Sequence, residues 1–153
     1  MVGDFGRAVL DAGLVLISAG GWCDRQWHDV LTKFTTRHSK FVYQNTPKGT
    51  GDAVLKTRKY IKNNYFLMLL PDDLIIKKNC SKDMIKVHHK HKSSVMASMK
   101  VNSKTVSRWG IYSLRKKISN NDYFIDGVVE KPSIKNAPSN KAVIGRYILP
   151  KTI

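Results

Sequence analysis

At 153 residues the chain is long enough to bury a core of its own, as one domain or as a piece of a larger one. Its 42% hydrophobic and 25% charged residues are ordinary for a soluble globular protein, but its formal charge of +16 is not, and it favours anionic partners without choosing among nucleotides, sugar phosphates, nucleic acid and acidic lipid. Cys23 and Cys80 have neither CxxC spacing nor an even framework, which excludes a zinc-finger or disulfide scaffold and makes a reducing, cytoplasmic setting the expectation.

Residues 8–19 are the one signal-like stretch. Asp11 interrupts them, only Arg7 supplies a basic flank, and the run is too short to span a membrane. A strand over 13–18 is the better reading, followed by a turn at Ala19-Gly20-Gly21 that either cradles phosphate or simply reverses the chain. Trp27, Val30, Leu31 and Phe34 fall at helical spacing, and 41–43 suit a short strand, giving a βα start to an α/β domain.

The loop 44–51, QNTPKGTG, leads into an amphipathic helix expected from Asp52 to about Asn63, with Ala53, Val54, Thr57, Tyr60 and Ile61 inward. Gly49 and Gly51 let a backbone approach a flat ligand, and Gln44 offers both a donor and an acceptor, as a pyrimidine edge requires. A Pro-Gly loop that caps a helix explains the same residues. Residues 65–70 are apolar at nearly every position, which suits a strand buried on both faces, as in a parallel sheet flanked by helices. Pro71-Asp72-Asp73 follow it. They are either a carboxylate pair that holds a hard cation at a sheet rim or an ordinary Pro-Asp turn.

Ser81 is the expected cap of a helix with Met84, Ile85 and His88 inward; His88, His89 and His91 lie among lysines and read as a solvated helix end. Val95, Ala97, Met99 and Val101 alternate as the buried face of a strand. In 106–112, Gly110 marks a bulge or a close ligand approach. A polar turn over 116–122, a strand over 123–131, a loop over 133–140 and a last strand over 142–149 complete the order.

Five motifs occur in one order: Gln44…Pro47-Lys48-Gly49-Thr50-Gly51-Asp52-Ala53-Val54, Leu69-Leu70-Pro71-Asp72-Asp73, Ser107-Arg108-Trp109-Gly110-Ile111, Gly127-Val128-Val129-Glu130-Lys131-Pro132, and Ala137-Pro138-Ser139-Asn140…Gly145-Arg146-Tyr147. The series resembles the middle of the bacterial UTP–glucose-1-phosphate uridylyltransferases (UDP-glucose pyrophosphorylases), over about residues 41–152. The resemblance implies an α/β, Rossmann-like (GT-A-like) nucleotidyltransferase fold, a mixed sheet flanked by helices and truncated at both ends. It divides the chain into an atypical segment, 1–40, and a partial nucleotidyltransferase domain, 41–153. It also implies a Mg²⁺-dependent enzyme that joins UTP to glucose 1-phosphate. Gln44 and the Gly49 backbone would hold the uracil and Asp72 the metal. Glu130, Gly110 and Gly145 would meet the sugar, and Lys131 its phosphate, so that Asp72 and Lys131 are the catalytic pair.

The family's Gly-x-Gly-Thr-Arg loop has no counterpart in residues 1–40, where Ala19-Gly20-Gly21-Trp22-Cys23 is nearest by position, nor does its later metal-binding aspartate. Removing groups that stabilise transition-state charge costs about 3–4 kcal/mol each in other enzymes, so weak or absent turnover is expected. A cytoplasmic protein with no membrane partner, able to form a homo-oligomer, completes the expectation. A basic nucleic-acid-binding module, disfavoured because the aromatics are dispersed, and a decayed gene product are the competing readings.

Overall fold

The computed structural model describes residues 14–16, 42, 46, 48–70, 73, 75–76 and 79–153. The expected helix over 24–34 and the strand over 41–43 lie wholly or mostly outside them. Two compact units divide the chain: Met1–Val95 with Gly145–Ile153, and Met96–Ile144.

In the first unit, β1 (Leu14–Leu16) pairs parallel with β2 (Tyr65–Leu69), Leu14 lying opposite Leu67. On its other edge β2 pairs antiparallel with the end of β6 (Lys141–Pro150), from Tyr65 opposite Pro150 to Leu69 opposite Arg146. The uninterrupted apolar run is therefore buried on both faces, with Phe66, Leu67 and Met68 at 0, 0 and 5% exposure. Each such side chain contributes about 1.5–3 kcal/mol of burial. The sheet around it is mixed, as expected, parallel on one edge of β2 and antiparallel on the other; burial on two faces fixes the apolar pattern of a strand but not the direction of its neighbours.

Helix α1 (Thr50–Thr57) continues as a 3₁₀ turn, Arg58–Tyr60, instead of running on to Asn63. Its Val54, with Ile61 beyond the turn, packs with Phe66, Met68 and Leu149. Tyr60, expected inward, is 41% exposed because the tighter 3₁₀ turn rotates it off the helical stripe. Helix α2 (Cys80–His91) is capped by Asn79, whose side chain accepts from the Lys82 N–H at 3.0 Å, and not by Ser81, which is buried in the first turn. The shift is one turn-starting residue for another, two positions apart. His88 is half-buried: Nδ1 lies 2.7 Å from the Ser93 carbonyl and the ring centroid 4.4 Å from that of Tyr65. Lys92, in the left-handed conformation, ends the helix.

In the second unit, β4 (Gly110–Lys117) pairs antiparallel with β5 (Tyr123–Glu130) and, at Ile111 opposite Ala142, with the start of β6. The register between β4 and β5 slips on either side of Leu114, leaving Arg115 and Asp126 as the unpaired residues. Their side chains meet across the irregularity at 3.5 Å. Val106, Ile111 and Ala142 form the core, joined by Val101, Trp109 and Ala137. In β3 (Val95–Lys100) only Ala97 is buried; Met99, expected inward, is 40% exposed. Alternation named the shared face correctly but not how much of it is covered. The motif at 137–140 has a structural purpose here: Ser139 Oγ donates to the Tyr112 carbonyl at 2.7 Å, and the Asn140 carbonyl accepts from Val101 at 3.0 Å.

Candidate functional site

The acidic corner follows directly from β2. The Leu70 N–H donates to the Gly145 carbonyl at 2.8 Å, and the Gly145 N–H donates to Asp73 Oδ2. A Cβ on Gly145 would stand 2.4 Å from Leu70 Cβ and 2.8 Å from Asp73 Oδ2, so only glycine allows β6 to close on this corner. Arg146 finishes the closure. Its guanidinium donates to the carbonyls of Leu70 (2.7 Å), Gly145 (2.9 Å) and Asp73. A planar fork with five donors, spread over two terminal nitrogens and Nε, can serve three carbonyls at once.

Asp73 thus has its carboxylate and its carbonyl committed to holding the chain in place. Its sequence neighbour Asp72, the expected metal ligand, lies outside the described residues, as does Gln44. Among the described residues no group of three His, Cys, Asp or Glu side chains could hold a metal ion. Arg146 also reaches Cys80 electrostatically. Burial pushes that thiol's pKa up, Arg146 draws it partly back, and Asp83 adds to the rise.

Gly49 precedes α1 with φ +92° and ψ 178°, a conformation open essentially to glycine alone. No atom lies within 4 Å of where its Cβ would stand, so backbone conformation and not crowding demands glycine there. Its carbonyl accepts from the Ala53 N–H at 3.3 Å, which starts the helix.

The second unit brings together Gly110, Glu130 and Lys131. Gly110 is paired with Glu130 across β4 and β5, and its missing Cβ would lie 3.0 Å from Glu130 Oε2 and 3.2–3.3 Å from Val128 and Val143 methyls. Lys131 is held by its N–H, which donates to the Trp109 carbonyl at 3.0 Å, and has φ +45°. A left-handed lysine immediately before Pro132 is sterically disfavoured. That conformation turns the chain at the end of β5 and sets the two charges side by side, Nζ 4.0 Å from Glu130 Oε1, with both side chains about two-thirds or more exposed. An exposed adjacent carboxylate and ammonium can bind hydroxyls and phosphate.

Gly49, Gly110, Glu130, Lys131 and Gly145 are the described residues that the motifs single out. Sequence reasoning passed over Arg146 and Asp73 as positioning residues, because the partners of Arg146 are backbone carbonyls, for which no side-chain pattern exists. Arg146 inside a quoted motif was the available signal.

A family model described as nucleotidyl transferase matches residues 24–153, and the chain belongs to that family. It is similar to the UTP–glucose-1-phosphate uridylyltransferase of Streptococcus pyogenes, with 37% identity over 125 residues. That alignment takes in 78% of this chain and 41% of the relative, so the chain spans well under half the length of the curated relatives it matches. Among solved structures, a UDP-glucose pyrophosphorylase complexed with UDP-glucose superposes with a TM-score of 0.75 at 30% identity, covering 95% of this chain and 62% of that one. A UTP-bound pyrophosphorylase from Acinetobacter baumannii shares the fold, with a TM-score of 0.70 at 24% identity and coverage of 96% and 62%. The fold is accordingly the mixed-sheet, Rossmann-like α/β fold of the nucleotidyltransferases. Among the described residues no helix is long and apolar enough to cross a membrane.

Proposed function

We infer that this chain carries the uridylyl-transfer site of a UTP–glucose-1-phosphate uridylyltransferase. The observation that carries the reading is the closure of Gly145 and Arg146 on Leu70 and Asp73, which fixes the residue next to Asp72 at the carboxyl end of β2. Ligands of open α/β sheets gather at that end.

In this reading Gln44 and the Gly49 backbone hold uracil, and Gly110, Glu130 and Gly145 line the glucose. The Lys131 ammonium neutralises the sugar phosphate. One oxygen of that phosphate attacks the α-phosphorus of UTP, the new P–O bond forms as the bond to the β-phosphate oxygen breaks, and pyrophosphate leaves. No protein nucleophile is needed, so the residues act by positioning and charge. Asp72 would hold Mg²⁺, which would supply charge neutralisation at the phosphates. The reading places the protein in the cytoplasm, with UTP and glucose 1-phosphate as its small-molecule partners, and allows a homo-oligomer.

Release of pyrophosphate from UTP and glucose 1-phosphate by the purified protein tests the proposal. At most weak, Mg²⁺-dependent release is expected, with both UTP and UDP-glucose bound. Failure to bind either UTP or UDP-glucose in a calorimetric titration would overturn it.

A further inference from the structure

At the other end of β2 the first unit contains a hollow of about 680 Å³, lined by Val42, Leu55, Lys56, Arg58, Lys59 and Lys151. Among the described residues that line it, four are cations and none is a carboxylate. Three of the cations follow from one stretch, the end of α1 and the 3₁₀ turn, where basic residues suit the helix C-terminus. The fourth does not. Lys151 comes from the far end of the chain, and two features fix it: Pro150 is paired with Tyr65, and the Lys151 N–H donates to the Asn64 carbonyl at 2.8 Å. The fold therefore gathers charge from two distant segments into one concavity.

Within that cluster Lys56 has a carboxylate within reach, Asp52 at 3.9 Å. Like charges around a concave surface repel one another and focus a positive potential into it, so an anion bound there relieves the cost. Val42 and Leu55 add an apolar wall, Leu55 being 53% exposed. The volume is that of a site for a small organic molecule. Tyr65 lies opposite Pro150 at this end of β2 and Leu69 opposite Arg146 at the other. At roughly 3.3 Å per residue the strand sets the hollow apart from the acidic corner by more than a dozen ångströms.

We propose that this hollow binds a small organic polyphosphate, its phosphates on Arg58, Lys56, Lys59 and Lys151 and its organic part against Val42 and Leu55. It is a second site, independent of the transfer chemistry. The test is calorimetric titration of the full chain with ATP, inorganic tripolyphosphate and single-stranded oligonucleotides, in EDTA so that metal-dependent binding at Asp72 is silent.

Saturable binding of ATP is expected. It weakens by about tenfold or more in the Arg58→Gln/Lys151→Gln double variant, since each lost group is a charge-assisted phosphate contact. Leu55→Ser weakens ATP but leaves tripolyphosphate at wild-type affinity, and Asp72→Ala changes neither. Wild-type affinity in the double variant would overturn the proposal, as would loss of binding in Asp72→Ala. Affinity that climbs with oligonucleotide length and exceeds that for ATP would reassign the basic face to nucleic acid. These readouts do not depend on turnover, so a failed pyrophosphate assay leaves them intact.

Discussion

Gly145 and Asp73 stand 72 residues apart in sequence and are joined directly, the glycine N–H donating to the aspartate carboxylate. The glycine has no side chain because the end of β2 occupies the space one would need. A Gly145→Ala variant places a methyl 2.4 Å from Leu70 Cβ. It is expected to lower stability by about 1–3 kcal/mol, the usual cost of overpacking, and to abolish any pyrophosphate release. Urea denaturation of the two proteins checks the first, and the coupled assay the second.

The two aspartates should separate cleanly. Asp73→Ala leaves the buried Gly145 N–H without its acceptor, which costs about 1–3 kcal/mol and lowers the melting temperature. Asp72→Ala is expected to melt like wild type and to lose Mg²⁺-dependent nucleotide binding. A titration in which Asp72→Ala keeps its Mg²⁺ dependence would remove Asp72 from the metal site.

Arg146 has a reporter nearby in Cys80. Arg146→Met removes the cation that offsets burial, so the Cys80 thiol pKa rises further, and alkylation by iodoacetamide at mildly alkaline pH slows. The same variant leaves three carbonyls without their charged donor, for a loss of about 2–3 kcal/mol. In the wild-type protein the raised thiol pKa has a definite sign in the pH dependence of stability. Between the ordinary thiol pKa and the raised one, the unfolded chain has released its proton and the folded chain has not. Stability therefore falls as pH climbs through that window, and Cys80→Ser should remove this part of the alkaline loss.

Lys131 separates backbone strain from binding. Lys131→Gly relieves the cost of φ +45° and is expected to be neutral to stabilising, by up to about 1 kcal/mol. Both Lys131→Gly and Lys131→Ala should weaken glucose 1-phosphate binding more than UTP binding. Equal losses of both ligands in either variant would count against a sugar-phosphate role.

The helix capped by Gly49 gives a third separation. Gly49→Ala forces an L-residue into φ +92°, at a cost of about 1–3 kcal/mol, although space for the methyl is open. Gly51→Ala, also with open space and inside the helix, should be neutral or stabilising. Thermal melts of the pair discriminate conformation from crowding.

The residues differ in how readily the chain discloses their roles. The apolar run from Tyr65 to Leu69 announces a doubly buried strand because burial on two faces leaves no polar position. Its antiparallel partner Ile148 is not announced, since pairing between distant segments is a property of topology and not of local pattern. The cap at Asn79 was missed for Ser81 because both side chains can accept from a helix N–H and local sequence does not rank them. Glycines 49, 110 and 145 carried the motif, yet their physical reasons differ: torsion at Gly49, contact with Glu130 at Gly110, contact with Leu70 and Asp73 at Gly145. No sequence pattern distinguishes those three causes.

Closure by β6 has a consequence for biosynthesis. A ribosome releases β2 and the aspartates long before it makes Gly145 and Arg146, so β2 emerges with one edge unsatisfied and waits for a partner still being translated. Such a nascent chain presents an apolar ribbon for the whole interval, so slow synthesis between the two strands lengthens its exposure to aggregation.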